Sequence, residues 1–258
     1  MTTTVAFLNE KGGVGKTTVT LGIVSAAQAA GQKVLVIDMD PQASATWTLG
    51  IEPSDDTLSV SDVLQSGDPG LAKEAIVTST WGPDIHVMPA SRILFERERD
   101  DRRKGDRRLR KVLAEVTAPY DFVVIDCPPS LGQNTRNALA ASDFAVLVVE
   151  LAGYSLRGVA AVLDLIDDVW QESNDTLDLA GVITNRVPPQ SSEADRRMGE
   201  LVDLVGRKAI WKPPVPQRSI INQANGDQVP IHSFGYKAKD VTEVFDGYFA
   251  KLRRLKKG

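Results

Sequence analysis

Two apolar tetrads, Val34-Leu35-Val36-Ile37 and Phe122-Val123-Val124-Ile125, each run straight into an aspartate. A strand with one wet face alternates apolar and polar residues. An unbroken apolar run suits a strand covered on both faces, and such strands belong to parallel sheets. The tetrads lie in expected strands at 33–38 and 121–126. Further expected strands occupy 3–9, 84–88, 143–149, 179–185 and 207–211. Segments of helical pattern separate them at 16–30, 59–66, 104–116, 132–140, 155–172, 191–204 and 236–255. This alternation predicts an α/β fold, a doubly wound and mostly parallel sheet with helices on both faces. Its ligand is expected at the carboxyl ends of the strands. No internal repeat or long linker interrupts the pattern, so residues 1–258 read as one domain. The stretch Trp211-Lys212-Pro213-Pro214-Val215-Pro216 reads as a rigid loop.

Net charge is −4, with 42% hydrophobic and 25% charged residues, ordinary values for a soluble globular chain. Global basicity of the nucleic-acid-binding kind is absent, so any DNA contact must come from a local patch. The single cysteine, Cys127, excludes an intrachain disulfide framework and a cysteine-only metal site. It fits a reducing compartment. No apolar run reaches the ~20 residues of a spanning helix. Nor does a basic-apolar leader precede the first strand. A cytoplasmic location is the expectation.

Between the first strand and the first helix stands Lys11-Gly12-Gly13-Val14-Gly15-Lys16-Thr17-Thr18. With its first glycine slot relaxed, the stretch fits the phosphate-loop pattern G-x-x-x-x-G-K-[ST]. Glycines let backbone N–H groups converge on an anion, and a helix N-terminus adds its positive dipole end. Gly12, Gly13, Val14 and Gly15 are therefore expected to cradle phosphates. Lys16 should neutralise the β and γ phosphates, Thr17 should hold Mg²⁺, and Thr18 can donate to an α-phosphate oxygen. Lys11 is a second lysine, too early to fold back easily on the phosphate of its own loop. It is either a solvated side chain or a contact across a subunit interface.

Asp38 and Asp40 close one expected strand and Asp126 another, on the same sheet edge as the phosphate loop. An aspartate after four apolar residues is costly unless it serves something. Asp126 reads as the carboxylate that binds Mg²⁺ through water. Asp38 either supports the same magnesium shell or caps the following turn. Asp40 is placed to orient or deprotonate the attacking water. Asn185, at the end of a late strand, can hydrogen-bond a purine edge in both directions.

The pattern K-G-G-x-G-K-[ST]-[ST], matched at every position of 11–18, resembles the deviant Walker A ATPases, the family of ParA, Soj and MinD. The resemblance implies that Lys11 contacts the nucleotide of the other subunit in an ATP-sandwiched homodimer. It implies that Asp40, within D-x-D-P-Q, is the hydrolysis residue. The small residues and Thr46 after Asp40-Pro41-Gln42 are similar to ParA-like partition proteins rather than MinD-like ones. The nitrogenase iron-protein branch needs cluster-binding cysteines and is excluded. Pro214 to Gln217 resembles the loop that covers adenine, so Pro214 and Pro216 join Asn185 as expected base contacts. At Leu156-Arg157-Gly158-Val159 many relatives have L-E-G. Arg157 replaces that acid, and no dimer contact is carried over there. The phosphate-loop strand starts at residue 3, which implies a small ParA without an N-terminal helix-turn-helix. The implied function is ATP- and Mg²⁺-dependent DNA partition on the nucleoid. The dimer would bind DNA nonspecifically, and a ParB-type partner would stimulate slow hydrolysis. A cargo-positioning ATPase, such as the carboxysome-placing relatives, and a MinD-type membrane-cycling regulator are the alternatives.

The expected C-terminal helix carries Val241, Val244, Phe245, Tyr248, Leu252 and Leu255 on one face and a basic end. That pattern fits packing on the core, phosphate contact with DNA or a helix lying on anionic lipid. Stable membrane association ranks last. The expected DNA contacts are Arg218, Lys251, Arg253, Arg254, Lys256 and Lys257. The mixed-charge run from Glu96 to Lys111 reads as a solvated helix or a partner surface.

Overall fold

A computed structural model describes residues 2–52, 54, 56–98, 106–151, 157–187 and 192–255. Its sheet contains β1 (Thr3–Leu8), β2 (Val34–Asp38), β3 (Val77–Thr78), β4 (Ile85–Met88), β5 (Phe122–Asp126), β6 (Phe144–Glu150), β7 (Asp178–Asn185) and β8 (Ile210–Val215). The spatial order is β3-β4-β2-β5-β1-β6-β7-β8. All pairings are parallel except that of β3 with β4. The two apolar tetrads are neighbours, β2 beside β5, with Asp38 opposite Asp126.

Each tetrad feeds two cores, as its unbroken apolarity requires. Val34, Val36, Phe122 and Val124 join one cluster; Leu35, Ile37, Val123 and Ile125 join the other. The first core is closed by α1 (Lys16–Ala29), α10 (Ser219–Gly226), a 3-10 segment (Ile231–Ala238) and α11 (Lys239–Leu252). The second is covered by α3 (Val60–Ser66), α4 (Pro69–Ala75), α5 (Leu94–Arg97), α6 (Arg108–Val116), α7 (Gln133–Ala140), α8 (Arg157–Glu172) and α9 (Ser192–Val205). The short α2 (Ser44–Thr48) follows β2.

The apolar face of α11 packs on the first core. Val241, Val244, Phe245, Tyr248 and Leu252 are all buried there, and Tyr248 lies against Trp211 with ring centroids 5.5 Å apart. Core packing is thus the role of this stripe.

The expectations for 207–216 are corrected. The stretch from Trp211 to Val215 is not a loop but most of β8, and the strand expected at 207–211 runs from Ile210 to Val215. Proline removes a ladder donor, which argues against a central strand. β8 stands at the end of the sheet beside β7, and Pro213 and Pro214 fall between the paired residues Trp211 and Val215, where the register with β7 breaks and no ladder N–H is asked of either. The register shifts between Ile183 and Asn185, opposite these prolines. The helix expected at 236–255 begins at Lys239, after the 3-10 segment with its break at Gly235. Of the helix expected at 104–116, α6 starts at Arg108; residues 104 and 105 lie outside the described residues.

Candidate nucleotide site

β1 runs between β5 and β6, so the carboxyl ends of β2, β5, β6 and β7 surround the loop that leaves β1. That loop is pinned by asparagines at both ends. Asn9 Nδ2 donates to the Val148 carbonyl at 2.6 Å, and Asn9 Oδ1 accepts from the Lys11 N–H at 2.9 Å. Asn185 Nδ2 donates to the Val14 carbonyl at 2.8 Å. Gly15, the cap of α1, has φ 87°, and a Cβ there would stand 2.2 Å from Asn185 Nδ2. Both the left-handed backbone and the close approach require glycine. Arg186, also left-handed at φ 52°, donates from Nη1 to the Gly13 carbonyl at 2.9 Å.

Lys16 is 6% exposed, and its Nζ donates to the Lys11 carbonyl at 3.3 Å. Burial lowers its pKa, opposed by Asp126, Asp40 and Cys127. A buried ammonium held by one long bond to a neutral carbonyl is poised for an anion. The Lys11 side chain is exposed at the mouth of the loop.

Thr17 Oγ1 donates to Asp126 Oδ2 at 2.7 Å. Thr20 Oγ1 lies 3.0 Å from Asp126 Oδ1 and 2.9 Å from the Lys16 carbonyl, with one proton for the two acceptors. Burial, then the neighbouring Asp38, pushes the Asp126 carboxyl above the ordinary carboxylate range; Thr17, Lys16 and Thr20 oppose the shift. Among the described residues, no ion pair to Asp126 within salt-bridge distance compensates this buried group. A hydroxyl beside a carboxylate that costs energy to ionise is a donor set suited to a hard cation such as Mg²⁺. Asp38 is fully buried, and burial raises its carboxyl too. Its Oδ2 accepts from the Thr46 N–H and hydroxyl, both at 2.8 Å, and its Oδ1 from the Asp40 N–H at 3.1 Å. These bonds give Asp38 the turn-capping role that its sequence position left open beside the magnesium one. Asp40 is half-buried, accepts from the Gln42 N–H at 2.9 Å, and is shifted upward chiefly by burial.

Beyond the phosphate loop, a cavity of about 350 Å³ is lined by Thr18, Glu150, Asn185, Arg186, Pro216 and Arg218, among others. It brings Thr18, Asn185 and Pro216 together as expected. Pro214 lies in β8 and is not among its lining residues. Arg218 ion-pairs with Asp240 at 2.6 Å. The other expected DNA contacts lie elsewhere. Arg253 borders a cavity with Thr3 and Phe122, at the amino ends of β1 and β5 and so on the opposite edge of the sheet. Lys251 Nζ sits 4.9 Å from the Trp211 ring centroid. Lys256 and Lys257 lie outside the described residues.

Sequence reasoning missed Thr20, Asn9, Glu150 and Arg186. Thr20 had a signal, since its i+3 spacing from Thr17 puts both hydroxyls on one helix face. Asn9 and Arg186 act through loop geometry, and Glu150 lines the cavity from the end of β6, which spacing does not reveal.

A parallel α/β sheet with a glycine loop on the N-terminus of α1, a buried lysine and a strand-end aspartate on the loop threonine defines a P-loop nucleotide-hydrolysing ATPase. The family model described as AAA domain matches residues 2–179. The sporulation initiation inhibitor protein Soj of Bacillus subtilis is 33% identical over 244 residues, covering 94% of this chain and 95% of Soj. The chromosome partitioning protein ParA of Myxococcus xanthus is 30% identical over 251 residues, covering 96% and 86%. The chain belongs to the ParA/Soj-type ATPases of the ParA/MinD superfamily. Its fold is shared by cobyrinic acid a,c-diamide synthase from Mycobacterium smegmatis, solved with ADP and magnesium (TM-score 0.76, 29% identity, covering 88% of this chain and 93% of that one). An ATP complex of McdA from Cyanothece has a TM-score of 0.87 at 19% identity, covering 99% and 98%, a likeness of fold.

Proposed function

We propose that this chain binds ATP with Mg²⁺, closes into an ATP-sandwiched homodimer and serves DNA partition, with slow hydrolysis stimulated by a ParB-type partner. The observation that carries the reading is the preset phosphate site: buried Lys16 on a neutral carbonyl, beside the Thr17–Asp126 pair. The γ-phosphate would replace the Lys11 carbonyl as the partner of Lys16. Thr17 and Asp126 would hold Mg²⁺, which when bound neutralises charge on the β- and γ-oxygens. Asp40, anchored by the Gln42 N–H and raised toward basicity by burial, would orient the attacking water and take its proton. Lys11 would reach the partner subunit's nucleotide from its exposed position. Thr18, Asn185 and Pro216 would border the nucleoside. The core-bound apolar face of α11 supports DNA over a lipid surface as the dimer's substrate.

Nucleotide binding, light scattering and turnover test this together. Lys16→Ala should abolish nucleotide binding. Asp40→Ala should keep binding while kcat falls by about 10²- to 10³-fold, the usual cost of one transition-state group. With ATP, Asp40→Ala should run as a dimer, and adding Lys11→Ala should dissolve that dimer with nucleotide partly retained. A fully dimeric double variant would remove the role of Lys11 across the interface. ATP-dependent flotation with anionic vesicles, and none with DNA, would overturn the DNA reading.

A further inference from the structure

The loop that follows Asp126 is gripped from outside the nucleotide site. Ser130 Oγ donates to Glu98 Oε1 at 2.9 Å. A Cβ on Gly132 would stand 1.8 Å from Glu98 Oε2, so the carboxylate fills the space that a side chain at 132 would take. Gly132 has φ −82° and ψ −161°, a backbone open to any residue, so here glycine serves the close approach and not a turn. Nearby, buried Asn134 Nδ2 donates to the Leu94 carbonyl at 3.0 Å, which fixes α5 beside α7. Glu98 is thus carried to the loop on a docked helix.

The inner side of the same loop meets the phosphate loop. A Cβ on Gly12 would stand 3.8 Å from Pro129 Cβ, an ordinary van der Waals separation. Pro129 adjoins Ser130 on one side and Pro128 on the other. Two successive prolines have fixed φ, so a displacement at Ser130 is poorly absorbed before it reaches Asp126.

We propose that Glu98 is a positioning residue for ATP hydrolysis. Through Ser130, and through the space left at Gly132, it sets the Pro128–Gly132 loop, and with it the Asp126 carboxylate and the mouth of the phosphate loop at Gly12. The proposal rests on the ATPase reading above. Glu98 acts through the loop and touches no reacting atom.

Steady-state kinetics and hydrogen exchange on the full chain test it. Glu98→Ala removes the acceptor, and Gly132→Ala evicts the carboxylate without touching Glu98. Both should lower kcat about tenfold, inside the ~10²-fold that a 1 Å misplacement can cost, with KM for Mg²⁺–ATP changed by less than about twofold. Glu98→Gln keeps the Oε1 acceptor and should retain most of the rate. In nucleotide-free Glu98→Ala, amides at Ser130 to Gln133 should exchange faster than in the wild type. Wild-type kcat in both alanine variants would overturn the proposal. So would an equal loss in Glu98→Gln and Glu98→Ala. A wild-type chain that turned over no ATP would sink the ATPase reading instead. In that event, unchanged exchange at 130–133 in Glu98→Ala would still overturn the anchor.

Discussion

Among the described residues, two clusters are built around buried charge, and they are finished differently. Arg136 of α7 is 2% exposed and is answered by acids. Its Nε lies 3.0 Å from Asp106 Oδ2, its Nη1 3.8 Å from Asp168, and its Nη2 donates to Glu172. Asp106 also accepts from Gln133 Nε2 at 2.6 Å. At the other cluster, among the described residues, Asp126 is equally buried but accepts only from threonine hydroxyls, and Lys16 donates only to a carbonyl. A buried ion pair is tolerable when its partners close around it, and costly when they do not. The cluster under α7 is closed and holds helices together. The cluster at the ends of β2 and β5 is left incomplete, which is the mark of a site that a ligand completes.

The largest effect should come from breaking the closed cluster. Arg136→Met leaves Asp106 buried beside an apolar side chain. Stability should fall by about 3–5 kcal/mol, the usual cost of removing one partner of a buried pair. Urea unfolding measures it. Glu172→Gln and Asp168→Asn should cost about 1 kcal/mol or less, because both carboxylates are more than half exposed. If Arg136→Met matched the wild type in stability, the contrast between the clusters would disappear.

The open cluster should respond with the opposite sign. Asp126→Asn removes a carboxylate that burial makes costly to ionise, so the nucleotide-free variant should be as stable as the wild type or about 1 kcal/mol more stable near neutral pH. The same variant should lose the stabilisation that Mg²⁺–ATP gives the wild type. The pH dependence follows from burial, which raises the Asp126 carboxyl on folding. Such a group favours the folded state while protonated. That contribution is whole below the unfolded value of about 3.9 and is lost as pH rises through the higher folded value. Without metal and nucleotide, the wild type should therefore lose stability relative to Asp126→Asn as pH rises from about 4 through the raised range. Urea midpoints at stepped pH would refute the unfinished-cluster account if the difference ran the other way.

The same contrast explains what could be read from the sequence. The tetrads before Asp38 and Asp126 announced strands buried on both faces, and the glycine loop announced the phosphate site, because both depend on consecutive residues. The closed cluster left no such trace. Asp106, Arg136 and Glu172 are far apart in the chain, and Asp106 fell within a run that read as a mixed-charge surface. Short elements such as α2 and α5 offer too few turns for a period to show. β8 was hidden by its prolines, whose tolerance depends on a break in register with β7 that only the strand pairing supplies. Thr20 was legible by spacing; Glu98 was not, since its meeting with Ser130 depends on the docking of α5.

Paired and unpaired charge also separates the expected DNA contacts, with the smallest effect. Arg218 lies at the nucleotide edge with its charge answered by Asp240 at 2.6 Å. Arg253 and Arg254 are exposed, near the opposite edge, and have no ion pair among the described residues. A paired guanidinium releases fewer counterions from DNA than an unpaired one, because its carboxylate must be displaced or repelled first. For the ATP-bound Asp40→Ala dimer, log K should fall with log salt by ~0.9 for each phosphate neutralised. Replacing Arg253 and Arg254 together with alanine should weaken binding and flatten that slope by about 0.9 for each phosphate left without its arginine, leaving dimerisation unchanged. Arg218→Ala should flatten it less. Fluorescence anisotropy on duplex DNA across a salt series decides between them. A larger change for Arg218→Ala would place the DNA on the nucleotide edge, where the ion pair with Asp240 would have to open on binding.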